Sequence, residues 1–291
     1  MSISASMVKE LRERTGAGMM ECKKALVEVD GDLDAAAEVL RKSGQAKADK
    51  KAGRVAADGR IVIAEDGNKA AIVEVNSETD FVAKDDNFVA FAEAVAATAL
   101  TSGTTDVEAF ASEKLADGRS VEEARTELIQ KVGENIGVRR IETIAADGVI
   151  AHYTHGARIG AVVALQGGDR VLARDIAMHV AASNPLCIDE SGVPAETLES
   201  ERRILTEQAQ GSGKSADIVE KMVNGRLNKF LKEITLLGQP FVKDPDSSVG
   251  RLLAGNDAKV LAFVRFEVGE GIEKKPDNFV EEVMAQVKGA S

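Results

Sequence analysis

Aromatic residues are scarce in this sequence of 291 residues, which contains no Trp, one Tyr and nine Phe. Apolar residues as a whole are not scarce, since they make up 44% of the chain. The hydrophobic cores must therefore be built mainly from Ala, Val, Leu and Ile. A chain of this length has room for one large domain or roughly two to three ordinary ones.

Cysteine is almost absent. Cys22 falls in a helical pattern and Cys187 in a predicted loop, and neither has a CxxC partner. Such isolated residues are typical of reduced thiols in a reducing compartment.

An excess of positive charge is also lacking, because the formal net charge is −11 and the sequence pI is about 5.0. A protein that grips nucleic acid through its phosphates needs a basic face. We therefore expect no nucleic-acid partner for the chain as a whole. An acidic balance mainly keeps a protein in solution.

No uninterrupted apolar run approaches the length that spans a bilayer. The N-terminal region leads directly into the charged segment 8–12, without a signal-peptide core or an acid-free transit segment. We expect a cytoplasmic protein that has no membrane partner.

The residue sets that carry covalent chemistry are missing. We find no nucleophile with its base, no metal-ligand cluster and no cofactor loop, so we expect no enzyme activity, cofactor or metal site. His152 and His155 are three residues apart in a strand pattern, so they point to opposite faces and are poor joint ligands. His179 lies in an Ala-rich helical pattern that is typical of a packed, hydrogen-bonded histidine.

Two short matches to nucleotide-binding loops fail on their context. The glycines of residues 16–18 follow a helical pattern, and Glu21 stands where a third glycine is needed. Residues 213–215 spell the end of a P-loop, but Gln208 occupies the position of its leading glycine and a helix precedes it. We therefore expect no direct nucleotide binding.

Residues 58–100 contain the clearest local pattern. A turn at residues 66–68 separates two apolar runs, 61–63 and 71–75, which predicts a β-hairpin. A helix follows, with Asp85 and Asp86 as candidate caps, on the helical spacing of Phe88, Phe91, Ala92, Val95 and Ala99.

Thr79, Asp80, Phe81 and Val82 lie between this strand and this helix. Side chains in such a turn tend to face a partner. The residues alone also allow a second interpretation, in which Phe81 packs with the phenylalanines of the helix and Asp80 is an ordinary helix cap.

The N-terminal segment predicts a small bundle of three helices. Glycines near residues 16–18 and the acidic turn at residues 30–32 separate the helices, and we expect Asp34 to cap the third, which ends before Gly44. The domain would then cover residues 1–44. Residues 45–58 are rich in Lys and Ala, and indicate a solvated linker or a helical spacer.

An internal repeat organises the rest of the chain. A hairpin, helices and a closing strand occur in residues 59–146 and again in residues 147–268, which predicts an α+β fold with two subdomains, each an antiparallel sheet covered by helices. Two apolar stripes at about 195–232 predict an inserted antiparallel helical hairpin. A C-terminal module, residues 269–291, contains an amphipathic pattern over residues 277–288.

Several segments resemble one protein family in its own motif order. Residues 76–85, NSETDFVAKD, and residues 9–26, KELRERTGAGMMECKKAL, resemble elongation factor Ts, the nucleotide-exchange factor of the GTPase elongation factor Tu. Further matching segments are KVGENI at 131–136, HGARIG at 155–160, AMHVAAS at 177–183 and GQPFV at 238–242. The resemblance implies an N-terminal bundle like ubiquitin-associated domains, a two-subdomain core and a C-terminal module that reaches the GTPase. The helical hairpin matches a coiled-coil projection that mediates self-association in some relatives.

The resemblance also implies site residues and a function. Thr79, Asp80, Phe81 and Val82 match the segment that displaces magnesium from the GTPase, and the implied partner contacts are Lys23, Val132, Gly133, His155 and Val242. Lys243 stands where relatives can have an apolar residue, so it is not carried over. The implied function is guanine-nucleotide exchange on elongation factor Tu by binding alone. The alternative is a non-enzymatic adaptor whose N-terminal bundle binds nascent chains or another partner.

Overall fold

The computed structural model describes residues 3–211 and 215–273. Over these residues the chain has the predicted α+β fold, with N-terminal helices followed by two antiparallel sheets and their helices. The predicted amphipathic helix at 277–288 and the glycine-lysine joint at 213–214 lie outside the described residues.

The N-terminal bundle consists of α1 (Ala5–Thr15), α2 (Met19–Glu28) and α3 (Leu33–Lys51). Its core is small and includes the fully buried Leu11, Leu26 and Ala36. Gly16 ends α1 with a φ of 67°, a conformation that glycine adopts without strain.

The predicted limits of the third helix are wrong at both ends. Asp32 caps α3 by accepting hydrogen bonds from the N–H groups of Asp34 and Ala35, so Asp34 is already inside the helix. The helix then continues through Gly44 to Lys51. A Cβ atom at Gly44 would lie 1.2 Å from Nε2 of Gln130, so this glycine permits close packing against a later helix and does not stop its own. The helical-spacer interpretation therefore applies as far as Lys51.

The first sheet has the order β1 (Asp58–Asp66), β2 (Lys69–Ser77) and β3 (Ile136–Ala145), and both pairings are antiparallel. The predicted hairpin between β1 and β2 is confirmed. Three α-helices lie between β2 and β3: α4 (Asp86–Ser102), α5 (Val107–Phe110) and α6 (Val121–Val132). Asp85 caps α4 by accepting from the Asn87 N–H.

The second half repeats this order. Its sheet consists of β4 (Val149–His155), β5 (Ile159–Gln166) and β8 (Lys259–Glu267), and the second strand of the hairpin is again central. Helix α7 (Arg170–Ser183) follows the hairpin. The helical hairpin is formed by α8 (Ala195–Gln210) and α9 (Ala216–Ile234). A small ribbon, β6 (Pro240–Phe241) and β7 (Asp244–Ser248), and helix α10 (Val249–Ala254) precede the closing strand.

The two sheets pack face to face. On β2, Val73 and Val75 join the core under α4 and α6, whereas Ile72 joins a separate core that also contains Val162 and Phe266 of the second sheet. The order of layers is therefore helices, sheet, sheet, helices. This arrangement explains why β2 is buried on both faces although the sheet is antiparallel.

Glu74 on β2 is a buried carboxylate beside the second sheet's closing strand. Its side chain is 0% exposed, and Arg139 and Arg140 of β3 lie 2.9 and 2.5 Å from its Oε2 atom. The Gly269 N–H, just after β8, donates to its Oε1 atom at 2.8 Å. Burial disfavours the charged form, but hydrogen bonds, first among them that from Gly269, outweigh it and hold the pKa of Glu74 below its ordinary value. One carboxylate thus links the first sheet to the chain leaving the second.

Among the described helices, none has the length and apolar character that crossing a bilayer would need.

Candidate partner-binding site

The wedge segment, residues 79–82, forms a short turn between β2 and α4. The Ser77 hydroxyl donates to the Thr79 carbonyl at 2.8 Å, and the Ala83 N–H donates to the same carbonyl at 3.3 Å. The Lys84 N–H donates to the Phe81 carbonyl at 3.1 Å, within the single 3₁₀ turn Val82–Lys84. Because successive backbone groups are hydrogen-bonded, the turn has a defined conformation.

Phe81 points away from the protein's own core, and 81% of its surface is exposed. Its neighbour Ala83 is 6% exposed and belongs to the core cluster under α4, so the turn is anchored directly beside the exposed ring. Phe88 and Phe91 are buried in that cluster without Phe81. The interpretation in which Phe81 packs with them is therefore wrong.

Asp80 is not a helix cap either, since Asp85 caps α4. Its Oδ2 atom lies 2.6 Å from Nζ of Lys84, and the side chains of Asp80 and Lys84 are 53% and 71% exposed. An exposed pair of this kind contributes little to folding stability. The carboxylate is accessible next to the exposed ring.

Glu134 forms two hydrogen bonds with Thr79, the first residue of the wedge segment. Its carboxylate accepts from the Thr79 N–H at 3.0 Å and from the Thr79 hydroxyl at 2.6 Å. A second contact runs in the opposite direction, because the Glu78 carboxylate accepts from the Asn135 N–H at 2.6 Å. Two neighbouring residues after β2 are thus tied to two neighbouring residues after α6.

The end of α3 and the residues after it also contact the segment after α6. Lys51 donates to the Gly133 carbonyl at 2.6 Å, and the Asn135 side chain donates to the Arg54 carbonyl at 2.9 Å. The structure therefore brings the wedge segment next to Val132 and Gly133, two of the predicted partner contacts. Val132 is half-buried against the core, and Gly133 ends α6 with a φ of 81°.

Sequence reasoning did not identify Glu134 as part of the site. The contact between Thr79 and Glu134 spans 55 residues. No local pattern encodes such a pairing, and the glutamate by itself is indistinguishable from an ordinary surface residue.

Lys23 lies on the exposed side of α2. Three large apolar side chains are exposed on the same short helix: Met19 at 59%, Met20 at 74% and Val27 at 58%. Methionine side chains are flexible and suit binding surfaces. The helix thus presents an apolar surface around a cation.

His155 is exposed at the end of β4, where the chain turns into β5. This turn is attached to the first sheet, because the Ile61 N–H donates to the Ala157 carbonyl at 2.8 Å and Arg158 pairs with Asp58 at 3.0 Å. Its position relative to β1 is therefore set by one backbone hydrogen bond and one ion pair. The described contacts do not join Lys23, His155 or Val242 to the wedge segment.

His179 holds the backbone of Val242 in place. Its Nδ1 atom accepts from the Val242 N–H at 3.2 Å, and Nε2 lies 2.9 Å from Oε1 of Gln239. Both contacts fit one neutral tautomer, in which Nε2 carries the proton. The predicted packed histidine is confirmed, since His179 is 0% exposed, while Val242 itself is 43% exposed.

We expect the free energy of unfolding to fall as the pH drops below about 6.5 because of His179. Burial lowers the pKa of this imidazole, and the hydrogen bond to Gln239 opposes that effect only partly. Below the ordinary pKa of about 6.5, the unfolded chain binds a proton that the folded chain does not, so acid favours unfolding.

Urea denaturation at several pH values on the acid side of the ordinary histidine pKa measures this effect, with His179→Asn as the reference protein. The substitution removes the titrating group but leaves every other group in place. The same pH slope in both proteins would contradict the prediction.

Among the described residues, no group of three or more His, Cys, Asp or Glu side chains could hold a metal ion. His152 contacts Glu65 at 2.7 Å, whereas His155 lies beside Tyr153. The two histidines therefore have separate surroundings.

Known proteins match this chain over most or all of its length. The family model described as Elongation factor TS matches residues 78–270, which include the wedge segment, Val132, His155 and Val242. A protein described as elongation factor Ts from Thioalkalivibrio sulfidiphilus is 63% identical over 294 residues and covers all of both chains. Proteins with the same description from Methylococcus capsulatus and Legionella pneumophila are 63% and 58% identical, over 100% and 99% of both chains.

These matches place the chain among the elongation factors of protein biosynthesis. More narrowly, the chain belongs to the elongation factor Ts family.

Proposed function

We propose that this protein is a guanine-nucleotide exchange factor of the cytoplasm. It binds elongation factor Tu in its GDP form and promotes the loss of magnesium and GDP, so that GTP can bind. It acts by binding, without covalent chemistry and without binding nucleotide itself. The observation that carries the proposal is the 81% exposure of Phe81 on a hydrogen-bonded turn.

The energy available from one ring is large enough for this task. Burying a phenylalanine removes roughly 150 to 250 Å² from water. At about 25 cal/mol per Å², this corresponds to about 4 to 6 kcal/mol before the costs of ordering. Half of that energy would weaken GDP binding on the order of a hundredfold, since about 1.4 kcal/mol is tenfold.

The exposed carboxylate of Asp80 adds a second effect next to the ring. Near a magnesium site, a carboxylate competes with the ligands of the ion or with the hydrogen bonds that orient them. Because coupling between two sites is reciprocal, magnesium and GDP must weaken binding of the exchange factor by the same factor. This reciprocity allows the factor to leave once GTP has bound.

Separate surfaces hold the partner while the wedge segment acts. These surfaces belong to different elements of the fold. They are the apolar face of α2 around Lys23, the end of α6 at Val132 and Gly133, the end of β4 at His155, and Val242 after β6. Contacts at these surfaces supply affinity that does not change during nucleotide release. They are therefore expected to affect complex formation more than the rate of release at saturation.

The proposal is tested by the release of fluorescent GDP from elongation factor Tu in a stopped-flow instrument. We expect a substoichiometric amount of this protein to accelerate release, because each molecule leaves and acts again. Labelled GDP added to the protein alone should show no binding. Binding to elongation factor Tu without acceleration would contradict the proposal and favour the adaptor alternative.

Self-association through the helical hairpin is a separate proposal. Ile204 on α8 and Ile218 on α9 are 42% and 47% exposed, while Leu205, Val223 and Leu227 form the hairpin's own core. Sedimentation of the full chain and of an Ile204→Ser, Ile218→Ser variant tests it. We expect a larger species that the variant loses, and a monomer in both cases would contradict it.

A further inference from the structure

We propose that Glu134 is a positioning residue that keeps the exposed ring of Phe81 in its working orientation. This inference rests on the exchange function proposed above and concerns how the same site is held. Glu134 would act through Thr79 and would not need to touch the partner.

The contact is suited to this role because one carboxylate accepts both hydrogen-bond donors of Thr79. The distances are 3.0 Å from the backbone N–H to Oε2 and 2.6 Å from the hydroxyl to Oε1. Two bonds to one planar group fix both position and rotation. Thr79 is therefore held as a unit.

Thr79 in turn holds the two residues that follow Phe81. Its carbonyl accepts from the Ala83 N–H at 3.3 Å, and its hydroxyl oxygen accepts from the Val82 N–H at 3.4 Å. The hydrogen bonds of Glu134 to Thr79 therefore also stabilise the turn from which the ring projects. Among the residues that the structure describes, no core cluster includes the Phe81 side chain, so core packing does not replace this support.

Glu134 is itself fixed by its surroundings. It follows the α6 cap residue Gly133, whose φ of 81° turns the chain back towards β2. The Asn135 N–H donates to the Glu78 carboxylate, and this second bond opposes sliding of the two segments past each other. Lys51 at the end of α3 donates to the Gly133 carbonyl, so the last helix of the N-terminal bundle also contacts the end of α6.

An exposed ring on an unsupported turn would sample several orientations. Exchange activity then falls in proportion to the fraction of molecules whose ring is correctly placed. Contacts elsewhere on the partner do not depend on this fraction. Loss of positioning should therefore lower the maximal rate of GDP release and leave the half-saturating concentration of the factor nearly unchanged.

The test uses Glu134→Ala, Glu134→Gln and the control Glu93→Ala in the full chain. Glu93 is exposed on α4, and no contact of its side chain with the wedge segment is described. We expect Glu134→Ala to lower the maximal release rate about tenfold, or about 1.4 kcal/mol. Glu134→Gln should remain within about threefold of the unchanged protein, because its amide can accept from the Thr79 N–H and donate to the hydroxyl. Glu93→Ala should have no effect.

An unchanged rate with Glu134→Ala would overturn the inference. Equal losses with Glu134→Ala and Glu134→Gln would also overturn it, because the charge and not the hydrogen bonds would then matter. If the alanine variant does not fold, Glu134→Met decides, because it keeps most of the side-chain volume but lacks the two oxygen acceptors. It should lower the maximal release rate about tenfold, and an unchanged rate would overturn the inference.

Failure of the inference and failure of the proposed function give different results. If the unchanged protein does not accelerate GDP release, the exchange function itself is wrong. If it does accelerate release and only Glu134→Ala has no effect, the function stands and the positioning role is wrong.

Discussion

Replacing Phe81 with alanine should reduce the maximal acceleration of GDP release from elongation factor Tu on the order of a hundredfold. The same substitution should leave the melting temperature almost unchanged. The ring is 81% exposed, so its removal loses little of the apolar surface that is buried in the folded protein. Stopped-flow release of fluorescent GDP and thermal melting of the isolated variant measure the two effects.

Phe88→Ala is the matched control, because it removes the same side chain a few residues further along the chain. Phe88 is 0% exposed, so its truncation should cost about 3 to 5 kcal/mol of folding stability. Below its own melting temperature, this variant should retain most of its exchange activity. If both variants lose stability and activity in parallel, Phe81 has only a packing role.

Glu74→Ala should destabilise the fold by about 3 kcal/mol, the lower end of the range for breaking a buried ion pair. The substitution leaves Arg139 and Arg140 without their buried partner and the Gly269 N–H without its acceptor. Both arginine side chains are partly exposed and can regain water, which is why we expect the lower end. Urea denaturation measures the loss.

Glu142→Ala is the control for this prediction, since Glu142 is an exposed glutamate on β3, next to β2. We expect its effect to stay within about 0.5 kcal/mol. A small loss in both variants would show that the network around Glu74 contributes nothing to stability.

The free energy of unfolding should also depend on pH because of the hydrogen bonds and ion pairs around Glu74. The pKa of Glu74 is lowered in the folded protein, so the folded state keeps the carboxylate charged where the unfolded state takes up a proton. The stability that Glu74 supplies is therefore present above its ordinary pKa of 4.5 and is lost as the pH falls below that value. The Glu74→Ala variant should lack this part of the acid dependence.

Elements with local signals could be predicted from the sequence. The turn at residues 66–68, the Asp85 cap and the repeated order of hairpin, helices and closing strand all appear in the structure as expected. Each depends on residues close together in the chain or on a period that a short window contains. The predicted ends of α3 were wrong for two reasons. Asp32 and Asp34 are both good helix caps, and Gly44 lies inside the helix, where it packs closely against Gln130.

Features that depend on distant residues could not be predicted. Glu74 alternates with Val73 and Val75 as a solvent-facing residue of a strand would, and only the second sheet makes that face a buried one. The pairing of Thr79 with Glu134 depends on how α6 ends beside β2. The chemistry of residues 79–82 left two interpretations of Phe81 open, and only the exposure of the ring decides between a core residue and a surface one.

The most direct test of the mechanism is the environment of the Phe81 ring with and without elongation factor Tu. Fluorophenylalanine at this position can be followed by fluorine NMR, and the change in its resonance between water and heavy water reports solvent access. We expect a solvent-accessible ring in the free protein and a shielded ring in the nucleotide-free complex. A ring that stays accessible in a complex that has released its GDP would contradict the mechanism.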